Sequence, residues 1–141
     1  MKTAQLMALA TVLASIASVS VAQAASVDIG VTNDAGKAVM GDPDHGAIVF
    51  HKCMVCHSIA AGQNRIGPSL HGVVGRHSGI VAGFHYSAAN KNSGIVWKAQ
   101  TIFTYLKAPQ KMVPGTKMTF PGLPAEQDRA DVIAYLEQNS K

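Results

Sequence analysis

Two cysteines in 141 residues are too few to build the disulfide framework of a small secreted scaffold. Charged side chains make up 14% of the chain, well below the quarter or so usual for globular proteins, and aromatics only 6%. Acids are scarce, with 8 Asp and Glu against 12 Lys and Arg, so the formal charge is +4. That excess is too small and too scattered to mark a nucleic-acid binder. A hydrophobic content of 48% excludes a disordered chain, and the length is that of one domain rather than a large multidomain enzyme.

The averages mix two different objects. Met1-Lys2 gives a positive start, Leu6 to Ala22 carries no charge, and the small residues Ala22 and Ala24 flank Gln23. This is the pattern of a secretory signal peptide. As a membrane span the apolar run sits at the lower length limit, and Thr11, Ser15, Ser18 and Ser20 dilute it. We therefore expect residues 1–24 to be a cleaved signal peptide, 25–40 an N-terminal extension and 41–141 the folded domain, exported as a soluble protein. Neither internal repeats nor low-complexity linkers interrupt the part after Ala24.

Export changes how the cysteines read. They are Cys53 and Cys56, separated by Met54 and Val55 and followed at once by His57. A zinc site would need two further ligands at suitable spacing, yet no second CxxC and no HxxxH occurs. A thioredoxin-like pair would be expected beside a βαβ pattern, which is also missing. What remains is C-x-x-C-H, the attachment sequence of c-type haem. The spacing suits the chemistry: residues three apart share a helix face, so both thiols reach the two vinyl groups of one porphyrin. His57, next to the second anchor, is then carried beneath the iron.

The sixth position of such an iron decides between electron transfer, gas binding and peroxide chemistry. Candidates are Met40, Met54, Met112 and Met118 with His45, His51, His71, His77 and His85. Met54 lies inside the attachment loop and is badly placed for the far side of a porphyrin. Met118 sits in Pro114-Gly115-Thr116-Lys117-Met118-Thr119-Phe120-Pro121-Gly122, a constrained loop able to hold a thioether with little ordering cost. A methionine is also a flexible filler of apolar cores.

Further motifs follow in order: Gly67-Pro68-Ser69-Leu70-His71-Gly72-Val73-Val74-Gly75-Arg76, Gly83-Phe84-His85-Tyr86, Ala89-Asn90-Lys91-Asn92, Trp97, and Pro114-Gly115-Thr116-Lys117-Met118. Together with the CxxCH they resemble a class I cytochrome c, of the bacterial cytochrome c2 and mitochondrial type, across roughly Gly41 to Asn139. The resemblance implies one haem c bound through thioethers to Cys53 and Cys56, with His57 and Met118 as axial ligands. It implies that the Pro68 carbonyl accepts a hydrogen bond from His57, and that Arg76, Tyr86 and Trp97 donate to the propionates. Asn90, Tyr105 and Thr116 would form a buried polar network near Met118. His71 is expected near the haem edge, and His45, His51, His77 and His85 on the surface.

The expected fold is all-α, with N- and C-terminal helices crossing around the haem. Asp42-Pro43-Asp44 is a strong helix start, an N-cap followed by proline at N1 and an acid, and that helix should run to about Cys56. Gly46 inside it costs roughly 1 kcal/mol against alanine, which points to a close approach. Pro124 to Asn139 reads as a helix with an apolar stripe of Val132, Ile133, Tyr135 and Leu136. By resemblance these two helices cross at Gly46 and Phe50. A third helix spans about Lys98 to Lys107 and is closed by Pro109, and a short turn lies near Ser87 to Asn92. Ala25 to Met40 exceeds the usual N-terminus of the family and is expected to be either a mobile extension or a small strand covering one face.

These readings describe a monomeric periplasmic electron carrier and not an enzyme. His/Met ligation raises the reduction potential and leaves no open site for substrate. The competing reading is a haem enzyme or gas-binding protein with an open sixth position. Partners implied are membrane redox complexes, a quinol-oxidising complex as donor and an oxidase, reaction centre or reductase as acceptor, docking transiently near the haem edge. Lys52, Lys107, Lys111 and Lys117 flank the haem-binding segments and would steer acidic partners. Gln110, Pro124, Ala125 and Glu126 stand where mitochondrial relatives are often basic, so the salt dependence should be weak.

Overall fold

The computed structural model describes residues 25–141, so the expected signal peptide lies outside the described residues. Two short strands come first, β1 (Val27–Thr32) and β2 (Ala38–Gly41), followed by α1 (Pro43–Met54), α2 (Ala88–Asn92), α3 (Ala99–Lys107), α4 (Pro109–Met112) and α5 (Glu126–Asn139). The domain is therefore mostly helical, with a β-hairpin added at its N-terminal end. Among the described residues no helix is long and apolar enough to cross a membrane.

The hairpin settles the two expectations for Ala25 to Met40 in favour of strand structure. β1 and β2 pair antiparallel, with Val27 opposite Gly41 and Thr32 opposite Ala38. A bulge between Asp28 and Val31 is made possible by Gly30, whose φ is +65°. Ile29 and Val31 are buried while Asp28, Gly30 and Thr32 are exposed, so the strand lays one face on α3 and α5.

The Asp42 carboxylate caps α1 by accepting from the Asp44 and His45 amides at 2.9 and 3.2 Å, with Pro43 in the first turn. The helix stops at Met54 rather than Cys56. The amides of Cys56 and His57 both bond back to the Cys53 carbonyl, at 3.0 and 2.9 Å, which winds the chain into a tight turn. Likewise α5 starts at Glu126, two residues after Pro124, with Glu126 and Asp128 in its first turn. Pro109 ends α3 as expected but also opens the one-turn helix α4, because a proline fits the first helical position.

α1 and α5 pack where Gly46 lets the backbones meet. A β-carbon there would run into the Asp131 carbonyl and come 2.8 Å from the Tyr135 β-carbon. One turn on, Phe50 stacks on Tyr135 with ring centroids 5.1 Å apart. The core beneath is contributed by Ile29 and Val31 of the hairpin, Val49 and Phe50 of α1, Ile102, Phe103 and Leu106 of α3, and Val132, Ile133 and Leu136 of α5.

Two charged residues of α5 are part of that core, which the sequence pattern did not reveal. Arg129 is 2% exposed; its guanidinium donates to the Leu123 and Pro124 carbonyls at 2.7 and 2.8 Å and lies 4.5 Å over the Phe103 ring. Asp131, 1% exposed, accepts from the Asp42 amide, the Gln127 side chain and the His45 ring, each at 2.7 Å. His45 thus lies on the surface, as expected, and also partners a buried carboxylate.

Candidate functional site

A deep cleft of about 460 Å³ opens between the segment that follows α1 and the loop that follows α4. The volume is that of a site for a sizeable organic ligand, roughly 300–1,000 Å³. Every site residue expected from the sequence lines it: Cys53, Cys56, His57, Pro68, Arg76, Tyr86, Asn90, Trp97, Tyr105, Thr116 and Met118. His71 does not; its carbonyl instead accepts from Arg76 at 2.6 Å.

Cys53 ends on the cleft face of α1 and Cys56 on the turn that follows. Burial pushes the Cys53 thiol up to about 11, with the Lys52 charge pulling weakly the other way, so the group is a neutral thiol at physiological pH. His57 is held by its own short segment. Its Nδ1 lies 2.7 Å from the Pro68 carbonyl, and a carbonyl only accepts, so Nδ1 carries the proton. Burial, aided by the Arg76 charge and opposed by the Pro68 bond, lowers the imidazole pKa. The ring is therefore neutral with its lone pair on Nε2, the form that binds a metal. Gly67 packs directly against this ring, leaving no room for a β-carbon.

On the other chain segment Met118 is gripped by polar side chains. The Tyr105 hydroxyl donates to Met118 Sδ at 3.2 Å, and the Met118 amide donates to Thr116 Oγ1 at 3.2 Å. Thr116 in turn donates to Asn90 Oδ1 at 3.0 Å, and Ser87 donates to the same oxygen at 2.8 Å. Burial raises the Tyr105 pKa despite a hydrogen bond with Thr116, so its phenol stays a donor. A thioether has lone pairs enough for one such donor and one metal.

Arg76 shows what else the cleft is built to hold. Its Nη1 and Nη2 are committed to the His71 and Ser69 carbonyls at 2.6 and 3.0 Å, while buried Nε has no partner. An orphaned guanidinium N–H beside an apolar cleft fits an incoming carboxylate. Trp97 packs against Tyr105 at a tilt of 58° with centroids 4.7 Å apart, and Phe84 meets Tyr86 edge-on at 4.8 Å, so aromatic side chains wall the same space. Paired thiols, a neutral imidazole, a thioether, a free arginine N–H and apolar walls together suit a porphyrin with propionates.

Comparison with known proteins decides the matter, since the family model described as Cytochrome c matches residues 43–140. The chain belongs to the cytochrome c family. It is 57% identical over 103 residues to cytochrome c2 of Rhodopila globiformis, covering 72% of this chain and 97% of that protein. Identity to cytochrome c2 of Rhodoblastus acidophilus is 59% over 99 residues, covering 70% and 92%. The solved structure of cytochrome cH from Methylobacterium extorquens superposes with a TM-score of 0.66 at 40% identity, covering 70% of this chain and 99% of that one. This cytochrome is thus of class I, close to the bacterial cytochromes c2, with one covalent haem c and the function of an electron carrier.

The lysines expected to steer partners are placed unequally. Lys52 and Lys117 line the cleft mouth, but Lys52 lies 3.7 Å from Asp128 and Lys117 donates to the His85 carbonyl at 3.2 Å. Lys107 is away from the cleft and bonded to Asp34 at 2.6 Å. Val55 and Ile66, both at the mouth, are 71% and 78% exposed, so the rim is more apolar than the lysine count implied.

Proposed function

We propose that this cytochrome is a soluble, monomeric periplasmic shuttle whose iron is ligated by His57 and Met118. The observation that carries the ligation is the Tyr105 hydroxyl on Met118 Sδ, in the same cleft as the Nδ1-protonated His57 ring. Cys53 and Cys56 provide the thioether anchors. The Pro68 carbonyl fixes the ring orientation and tautomer of His57, and Thr116 and Asn90 hold the backbone of the Met118 loop. Arg76 Nε, with Trp97 and Tyr86, neutralises and orients the propionates. When bound, the haem supplies a one-electron ferric/ferrous couple, and a thioether raises its potential by favouring the ferrous state.

Residues 1–24 act as the signal peptide, cleaved after Ala24, and the hairpin forms the start of the mature chain. Electrons pass between membrane complexes, from a quinol-oxidising donor to an oxidase, reaction centre or reductase, by brief docking at the cleft mouth beside Val55, Ile66 and Lys52. Redox encounters of this kind need only small interfaces.

The test is optical and electrochemical. The ferric protein should show a sulfur-to-iron absorption band, and Met118→Ala should abolish it, lower the reduction potential and let carbon monoxide bind the ferrous form. Fast carbon monoxide binding to the wild type, or an unchanged spectrum in Met118→Ala, refutes the ligation.

A further inference from the structure

The hairpin lies outside residues 43–140, the part that matches the family model. It is nonetheless fastened to the domain by specific side-chain bonds. The Thr32 amide donates to Gln100 Oε1 at 2.8 Å, and Gln100 Nε2 donates to the Thr32 carbonyl at 3.0 Å, tying β1 to the first turn of α3. The turn that follows is closed by its own hydrogen bonds. Asn33 Oδ1 accepts from the Ala35 and Lys37 amides at 3.1 and 3.0 Å, and Gly36 supplies a φ of +74°.

From this turn two side chains reach different helices. Asn33 Nδ2 donates to Glu126 Oε2 at 3.1 Å, and Lys107 Nζ donates to Asp34 Oδ2 at 2.6 Å. Lys107 is the last residue of α3 and Glu126 the first of α5. Between them runs the segment 108–125, which carries α4 and Met118. Its base is closed by the Leu123 amide donating to the Leu106 carbonyl at 2.7 Å. Gly122 packs there so tightly that a β-carbon would come 2.6 Å from the Lys107 carbonyl oxygen. The hairpin turn thus grips both stems of the Met118 loop.

We infer that the turn Asn33–Lys37 is a staple across the base of this loop, and that Asn33 and Asp34 are positioning residues that keep Met118 in the cleft. The inference rests on the reading of Met118 as a ligand. A loop that swings out gains conformational freedom in proportion to how loosely its ends are held. Tying both stems to one hydrogen-bonded turn withholds that freedom from the open state. The staple therefore opposes local opening of 108–125 specifically, over and above what the hairpin adds to the core through Ile29 and Val31.

The experiment uses the full haem-loaded protein and titrates its ferric form with imidazole, which competes for the position assigned to Met118. In Asn33→Ala/Asp34→Ala the imidazole affinity should rise about five-fold, the order expected from losing the one hydrogen bond and the one surface ion pair that reach the stems. The Leu123 amide should exchange its hydrogen faster by a similar factor while amides of α1 keep their rates. Val31→Ala thins the packing under the hairpin without touching the staple; it should lower the guanidinium midpoint yet leave imidazole affinity within about two-fold of wild type. Unchanged affinity in the double variant, or an equal rise in Val31→Ala, overturns the staple. Met118→Ala separates the two readings. If it binds imidazole no better than wild type, Met118 is not the ligand and the staple falls with it. A strong rise there beside an unchanged double variant refutes the staple alone.

Discussion

Gly67→Ala adds one methyl group and nothing else, at the place where the chain presses on the His57 ring. The new β-carbon would lie 2.7 Å from Nδ1 and 2.9 Å from Nε2, with Cε1 nearer still. Backbone strain does not enter, because Gly67 is not among the glycines with positive φ. The ring cannot easily yield, since Nδ1 is held by the Pro68 carbonyl at 2.7 Å. Nor can the backbone, because the Gly67 amide donates to the Cys56 carbonyl at 2.8 Å. Overpacking of this kind costs about 1–3 kcal/mol, and a displaced ring loses a hydrogen bond worth about 1 kcal/mol. The lower entropy of the unfolded alanine chain returns about 0.4–1 kcal/mol. The net loss is about 2 kcal/mol, which lowers the melting temperature of a domain this size by roughly 10 °C. Thermal unfolding of the haem-loaded variant measures the loss, and its Soret spectrum and reduction potential should shift because the ring has moved. Gly62→Ala is the comparison: φ is +70° with open space around the site, so it bears backbone strain alone and leaves the spectrum unchanged. A Gly67→Ala protein that melts at or above the wild-type temperature with an unaltered spectrum would show that the ring has room, and the packing argument would fail.

Gly46→Ala should also reverse the usual helix preference. Alanine ordinarily stabilises a helix interior by about 1 kcal/mol over glycine, but here the Asp131 backbone blocks the methyl, so a net loss of about 2 kcal/mol is expected in guanidinium unfolding. A gain would refute the close crossing of α1 and α5. Asp34→Asn tests the ionic part of the hairpin contact. The Lys107 hydrogen bond, and then its charge, hold the Asp34 carboxyl below the ordinary aspartate range. The pair therefore stabilises the fold above the unfolded value and is lost as pH falls through the lower folded one. The substitution should lower the unfolding midpoint at pH 7 and progressively less as pH falls below the ordinary aspartate value of about 3.9; an effect that does not diminish would rule out a charge contribution.

What the sequence discloses is mostly what is local. Asp42-Pro43 announces α1 because an N-cap and its proline act within one turn, and Cys53 to His57 announce haem because the whole C-x-x-C-H pattern is local. The end of α1 was harder to place, since the Cys53 carbonyl takes two amides and turns the chain early. β1 was obscured by its brevity and by Gly30, a residue that weakens strand interiors, although its buried and exposed residues do alternate. Arg129 and Asp131 carry charges that no helical pattern places in a core. Their burial depends on Phe103, the Leu123 carbonyl, the Asp42 amide and His45, none of which the helix itself can show.

The same distinction divides the two sides of the cleft. His57 is positioned by residues close in sequence: Pro68 is 11 positions away, and the Gly67 amide reaches Cys56 beside it. Met118 is held partly by Tyr105 on α3, 13 positions away, and partly from farther off, through a Thr116 to Asn90 bond that spans 26 positions. Its loop is bounded by helices tied to a hairpin 73 positions from Lys107. Contacts of long range form only after distant segments of the chain have been brought together. The orientation of the His57 ring is therefore set by nearby residues, whereas the Met118 loop is held by ties that reach across the fold. That asymmetry is why spacing alone sufficed to find His57, while Met118 emerged from the sequence only as one of several candidates until the resemblance to a family singled it out.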